Sequence, residues 1–506
     1  MSRKRKALFG FSADLAGQAM STILSLFAVP IIISSIPKLE YGFWLTIGSI
    51  MSWIAISDLG IGMALSRNLI SIIHNENDNY KFKKVDKFVS TSLIIFLLCG
   101  SLFFLVAFLV FPYTIIWFKV PNTGYYNYKI TYFICTLAGS ISLPLSIYSG
   151  ILEAVQRLAL NRNINTISNI INLLLGMILI YYFNSAVFLS LALLISVTFK
   201  SFVSYIYSKK YLDYKFSMSF FSISYAKSLL SFGGYFQIGK IANTVATNTD
   251  SVFISKYLSA DNLPAYNFSS KLYQIFGIVL SSKIPQALFS GLSEVVESSA
   301  SDKIYSVFKV IFKLLLRIAL FSAAFTYFFN IVFIKLWVGD IYYAGEMVNY
   351  VLVYLILYET LVRGTSAIIY AFGELRNWAF VSFFEAILNV VLSLFLIQKY
   401  DIFGLLLATA ISRTLTSGLY LLYFLIEKNI LDFTYLITSL TIVLKSVPTI
   451  IFMFLCSIFV DINNWFDLFI FSFCFCLVNL ISFDLLTLVK YRNENFNIIF
   501  SKILGT

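Results

Sequence analysis

Phe88-Val-Ser-Thr-Ser-Leu-Ile-Ile-Phe-Leu-Leu-Cys-Gly-Ser-Leu-Phe-Phe-Leu-Val-Ala-Phe-Leu-Val-Phe111 contains no charged side chain, and Lys81, Lys83, Lys84 and Lys87 stand just ahead of it. A bilayer core about 30 Å thick is crossed by about 20 apolar residues in helical form. The stretch therefore predicts one membrane-spanning helix with a basic loop at its start. Equivalent runs recur on both sides of it. They predict helices at 8–34, 41–66, 88–111, 126–152, 163–183, 186–207, 229–255, 264–292, 308–333, 346–371, 377–397, 402–426, 434–459 and 466–489.

Composition agrees with this reading. The 506 residues are 59% hydrophobic and only 12% charged, about half the charged share of a soluble domain, and the mean hydropathy is +0.84. No separate soluble domain fits between the apolar runs. The net charge of +12 does not indicate a nucleic-acid binder, because the basic residues lie in helix-joining loops rather than in one patch with stacking aromatics. Loops expected in the cytoplasm, with the N-terminal Arg3-Lys4-Arg5-Lys6 and the tail, hold about 22 Lys and Arg, against about six on the other side. Both termini are thus expected inside the cell. The apolar run after Lys6 is too long for a signal-peptide core and is expected to be a retained first helix.

The five cysteines lie in apolar segments and read as packing residues, and the single histidine, His74, lies in a polar loop. No metal site, cofactor or catalytic residue is expected.

A repeat is visible at a spacing of roughly 220 residues: Leu39-Glu40-Tyr41-Gly42 opens one helix as Leu263-Pro264-Ala265-Tyr266 opens another. Gln156-Arg157 precedes a helix carrying Asn169 and Asn172 as Leu375-Arg376 precedes the helix carrying Asn389. The expected fold is an all-α integral membrane protein of about fourteen transmembrane helices. Its two six-helix lobes, 1–207 and 228–426, would be joined by a cytoplasmic linker at 208–227 and related by a pseudo-two-fold along the membrane normal, with two further helices in 427–506.

Ionisable groups inside a bilayer are expensive and mark functional positions. Lys240, Lys271, Glu359, Arg363 and Arg413 lie deepest, with Asp58, Lys283, Arg317 and Glu385 in the inner halves of their helices. Helical spacing aligns Gln237, Lys240, Thr244, Thr247 and Ser251 on one face, and Asn267, Lys271, Gln274 and Ser281 on another. Asp14, Gln18, Ser21 and Ser25 form a third such stripe. One water-filled cleft would account for all three, as would hydrogen-bonded helix contacts. Glu359 and Arg363 are spaced for an intrahelical ion pair. Asp58-Leu59-Gly60-Ile61-Gly62 is expected to break its helix, and Asp250 to stabilise a helix end or pair with a lysine.

Tyr41-Gly-Phe-Trp44, Asp58-Leu-Gly-Ile-Gly62, Asp250 before an apolar stretch, Ala265-Tyr-Asn-Phe-Ser-Ser-Lys-Leu272, Trp337-Val-Gly339 and Ala371-Phe-Gly-Glu-Leu-Arg376, in this order, resemble Wzx-type polysaccharide flippases of the multidrug/oligosaccharidyl-lipid/polysaccharide exporter superfamily. The resemblance implies translocation of an undecaprenyl-pyrophosphate-linked glycan across the bacterial cytoplasmic membrane by alternating access. It implies membrane lipids, a glycan polymerase and chain-length machinery as partners, and no nucleic acid. Lys240, Lys271, Arg317 and Arg413, with Gln237, Gln274 and Asn267, would meet the anionic glycan lipid. Asp14, Asp58, Asp250, Glu359 and Arg363 would line the cavity or couple an ion. In the lipid II flippases cations also lie on the first two helices, whereas the first helix here carries none before its outer loop. The alternative functions are a cation-coupled drug or metabolite antiporter of the same fold, and a membrane glycan polymerase or glycosyltransferase. The short outer loops, without paired carboxylates, disfavour the last.

Overall fold

The computed structural model describes residues 3–54, 61–74, 81–232, 234–280, 296, 301–431, 433–459 and 462–482. Every regular element among the described residues is helical. The first are α1 (Arg3–Ser35), α2 (Lys38–Ser52), α3 (Ile61–His74), α4 (Lys81–Trp117), α5 (Tyr125–Ala154), α6 (Leu158–Phe183), α7 (Ala186–Tyr211), α8 (Ile223–Phe232) and α9 (Gly234–Phe253). After them come α10 (Leu263–Ser269), α11 (Lys271–Tyr273), α12 (Ser301–Trp337), α13 (Glu346–Tyr358), α14 (Gly364–Ala371), α15 (Leu375–Arg413), α16 (Leu419–Glu427), α17 (Phe433–Phe459) and α18 (Trp465–Ser482). Four π-helical turns interrupt them, at Ile254–Leu258, Gln274–Leu280, Glu359–Arg363 and Thr414–Gly418. The chain divides into two compact units, Met1–Pro264 and Ala265–Thr506.

The solvent of this fold can be read from α4. Its most apolar window has a mean hydropathy of 3.0, yet only 17% of that window is buried inside the protein. Leu98, Leu102, Leu105, Phe108 and Leu109 are all more than half exposed. Each would sacrifice about 1.5–3 kcal/mol in water, whereas lipid solvates them without loss. Seven described stretches are long and apolar enough to cross a membrane, and the protein is an integral membrane protein. The longest stretch, Arg376–Glu427, folds back on itself. Asp401 has φ 52° and ψ −137°, and beyond it Thr409 Oγ1 accepts a hydrogen bond of 2.9 Å from Asn389 Nδ2. Residues so far apart on one straight helix could not meet.

In the first unit, α1 packs on α6, and α5 packs on both α4 and α7. Gly42 in α2 lies against the Ala260 carbonyl, where an added Cβ would sit 1.8 Å from the oxygen, so only glycine permits this approach. Two residues earlier, Glu40 Oε1 accepts from Ser185 Oγ and Ala186 N, both at 2.8 Å, and so caps the start of α7. In the second unit, α17 and α18 pack against α12 around Phe329, Met453, Leu468 and Phe475.

Left-handed residues close helices at corresponding points along the chain. Lys119, Gln156 and Asn184 have φ of 53°, 60° and 49°, and Gly339, Gly373 and Asp401 have φ of 99°, 79° and 52°. The turns at 156 and 373 share one hydrogen-bond pattern, in which Arg157 N reaches Leu152 O and Glu374 N reaches Ile369 O.

The helix ranges read from apolarity fall on helical residues wherever those residues are described, apart from turns at Trp53 and Ser270. Within the helix expected over 41–66, α2 stops at Ser52 and Trp53 N turns back to Ile50 O, with residue 54 helical again; the expected break at Asp58–Gly62 lies largely outside the described residues. Asn267, Lys271 and Gln274 are all half-buried, with buried residues at 268–270 and 272–273 between them, and the π-helical turn that begins at Gln274 shifts the phase only of the residues beyond it. Thr247 is exposed while Thr244 and Ser251 are buried, so that stripe does not share one environment.

Candidate functional site

Three of the π-helical turns meet at one cluster of charged side chains in the second unit. A π turn inserts one extra residue into an α-helix and recurs at functional sites. Glu359 and Arg363 bound the turn between α13 and α14. Arg413 ends α15 just before the turn Thr414–Gly418. Tyr273 ends α11 just before the turn Gln274–Leu280.

Glu359 is wholly buried, and Arg413 is 4% exposed. The two Glu359 oxygens are held by different guanidinium groups: Oε1 accepts from Arg413 Nη1, and Oε2 is ion-paired with Arg363 Nε. Arg413 Nη1 also donates to the Tyr273 hydroxyl at 2.7 Å, and its Nε lies 3.8 Å from Glu385 Oε1. Glu385 Oε2 accepts from Ser417 Oγ and, at 3.1 Å, from Thr416 Oγ1. The Tyr358 hydroxyl donates to the Arg413 carbonyl at 2.6 Å and lies 2.7 Å from Ser417 Oγ. Tyr354 and Thr414 join their hydroxyls at 2.5 Å. The Arg413 carbonyl that Tyr358 holds lies at the entry to the π turn.

Two carboxylates face two guanidinium groups, so the cluster is formally neutral. Neutrality is what makes four ionised groups tolerable in an apolar surround, because each charge has an opposite charge beside it. The four are not equally enclosed. The side chain of Arg363 is 31% exposed and that of Glu385 12%, against 5% for Arg413 and 0% for Glu359. Arg363 is thus the more accessible of the two arginines on Glu359, and Arg413 the more enclosed.

The remaining expected site residues are dispersed. Lys271, the first residue of α11, and Gln274, just after its last residue Tyr273, are both half-buried, and Asn267 lies half-buried on α10. Arg317 is half-buried on α12. Asp250 is buried on α9 in the first unit. Asp58, Ser281 and Lys283 lie outside the described residues, as do the side chains of Asp14, Gln237 and Lys240. A second polar group ties α10, α12 and α13 together, with Asn330 Nδ2 donating to Ser269 O at 3.0 Å and to Asn349 Oδ1 at 2.9 Å.

Sequence reasoning marks Glu385 only for its depth and does not single out Tyr273, Tyr358, Thr416 or Ser417. A usable signal exists for Glu385. Once the hairpin is centred near Asp401, antiparallel pairing brings residue 385 opposite 417, as it brings 389 opposite 409.

The described residues form an all-helical, lipid-facing membrane fold with an ion-paired cluster in its second unit, and solved proteins share that fold. The chain is similar to lipid II flippase MurJ in an inward closed conformation, with a TM-score of 0.68, 18% identity, and coverage of 95% of this chain and 99% of that one. It is also similar to an inward-facing multidrug resistance MATE family transporter of the MOP superfamily, with a TM-score of 0.66, 14% identity, and coverage of 83% and 98%. Among curated proteins, a "Putative O-antigen transporter" of Shigella flexneri is 21% identical over 401 residues, covering 77% of this chain and 91% of that protein. The polysaccharide biosynthesis protein family model matches residues 8–296. The chain belongs to the polysaccharide biosynthesis protein family.

Proposed function

We propose that the chain is a flippase that carries an oligosaccharide linked to undecaprenyl pyrophosphate from the inner to the outer leaflet of the bacterial cytoplasmic membrane, by alternating access of the lobes 1–207 and 228–426. The family membership and the likeness to a lipid II flippase and an O-antigen transporter support this reading. The observation that carries it is the unequal burial of the arginines on Glu359. A pyrophosphate entering an apolar medium must exchange its hydration for cations. Arg363 can turn from Glu359 to such an anion, while Arg413 keeps the buried carboxylate neutral and positions it. Lys240, Lys271 and Arg317 would supply further cations, with Gln237, Gln274 and Asn267 offering hydrogen bonds to sugar. The excess of Lys and Arg in one set of loops supports cytoplasmic termini.

An antiporter of the same fold would need a carboxylate open to a coupling cation. Glu359 carries an arginine on each oxygen, and Glu385 is held by Ser417, Thr416 and Arg413, which disfavours both for that task. Asp14, Asp58 and Asp250 remain the candidates for ion coupling within the flippase reading. Complementation of a deletion strain tests the role of Arg363. Arg363→Gln is expected to lower surface glycan about tenfold or more at unchanged protein level, the loss of one charge-assisted contact of about 1.5–3 kcal/mol, and Arg363→Lys to restore part of it. Full glycan display by Arg363→Gln would remove Arg363 from the substrate path.

A further inference from the structure

The sequence reads 212–222, between α7 and α8, as part of a plain linker, but hydrogen bonds fix the segment along the start of α4. Lys215 N donates to Asp86 Oδ1 at 2.7 Å, Ser217 N to Ser90 Oγ at 3.3 Å, and Ser222 N to Thr91 Oγ1 at 3.2 Å. Tyr214 is buried, with its hydroxyl 2.8 Å from Ser208 Oγ and its ring under the Lys209 ammonium at 4.0 Å. One side of the segment is thus committed to protein.

Apolar side chains occupy its other side. Phe216, Met218, Phe221 and Ile223 are 46%, 75%, 42% and 67% exposed. A segment pinned this firmly would not leave four such groups in water. Phe202 and Ile206 on α7 and Phe82 on α4 are exposed in the same way on the helices that the segment joins or lies against, so the apolar surface continues the lipid-facing flank. Lys210, Lys215 and Lys227 are exposed around it, as are Lys83 and Lys87 at the start of α4, with Asp213 as an exposed acid. Apolar groups beneath a border of lysines form the pattern of a segment lying in the headgroup boundary of an anionic leaflet.

We infer that residues 212–223 form an interfacial strap, in which Phe216, Met218, Phe221 and Ile223 enter the boundary of the bilayer while Lys210, Lys215 and Lys227 bind anionic phospholipid headgroups. The strap holds the end of α7 to the start of α4 and to the leaflet at once. Its anchoring depends on lipid charge.

Photocrosslinking tests this in the full-length protein. A p-benzoylphenylalanine is placed at position 218, 223 or, as a bilayer-facing control, 98 (Leu98 is 65% exposed on α4). Proteoliposomes of equal phosphatidylglycerol and phosphatidylcholine are irradiated, and adducts are read by intact mass. Positions 218 and 223 are expected to capture phospholipid, with phosphatidylglycerol favoured about threefold or more. The preference should fall to about one in the Lys210→Gln/Lys215→Gln/Lys227→Gln variant, whose insertion is verified by an unchanged adduct at 98. Adducts at 98 with none at 218 and 223 would overturn the strap. Equal capture of both lipids by the parent lysines would overturn the assignment to anionic headgroups.

Discussion

Replacing Arg413 by Gln separates the two arginines that share Glu359. Arg413→Gln removes the guanidinium from Oε1 of a fully buried carboxylate, and with it the donor to Tyr273 and the partner of Glu385. Removing one partner of a buried ion pair costs about 3–5 kcal/mol. Arg363→Gln removes a cation that is about one-third exposed and leaves Glu359 paired with Arg413, so its cost should stay near the 1 kcal/mol of an exposed pair. Glu359→Gln alone removes the carboxylate that both guanidinium groups share, leaving Arg413 with Tyr273 and the more distant Glu385. In Glu359→Gln/Arg413→Gln the two amides can hydrogen-bond to each other, leaving Arg363 in partial contact with solvent and Glu385 held by its hydroxyl donors. The double variant should then be less destabilised than the two single losses combined, with an interaction of about 2–3 kcal/mol. Equilibrium unfolding of the purified variants in mixed detergent micelles measures all four corners of the cycle. Equal costs for Arg413→Gln and Arg363→Gln, or strictly additive losses in the double variant, would refute the division of roles.

Two packing predictions accompany this one. Gly42→Ala places a methyl group on the Ala260 carbonyl and should cost about 2–3 kcal/mol, seen as a fall in folded yield, whereas Gly48→Ala meets open space in the same helix and should be neutral or slightly stabilising. Ser185→Ala removes the hydroxyl that bonds Glu40 and accepts from Val187 N. It should cost about 1–2 kcal/mol by the same unfolding measurement, with no change in glycan export at permissive temperature.

The membrane fold was legible because bilayer thickness imposes a length on every apolar run, and Phe88–Phe111 meets it without help from tertiary contacts. The Glu359–Arg363 pair was legible because residues four apart on a helix are neighbours whatever else the chain does. The expected ranges 377–397 and 402–426 already placed the turn at 398–401, where Asp401 has φ 52°, a conformation Asp takes more readily than most residues; pairing Arg413 with Glu385 needed in addition the register of the two helices across that turn. The π-helical turns left no trace in composition. An extra residue in a turn is stabilised by the groups that pack around it, so a regular period cannot be carried past Gln274. Tyr273 and Tyr358 carried no signal either, in a chain that is 18% aromatic throughout.

The purified protein, reconstituted into liposomes with a fluorescent undecaprenyl-pyrophosphate oligosaccharide, allows leaflet transfer to be read by the loss of label accessible to a membrane-impermeant quencher. The parent should exchange the label between leaflets well above protein-free vesicles, and Arg363→Gln should lower the rate with its insertion intact. Parent vesicles that exchange no more label than empty ones, under a proton gradient, a sodium gradient and a membrane potential alike, would contradict the assignment of glycan-lipid transport to this chain.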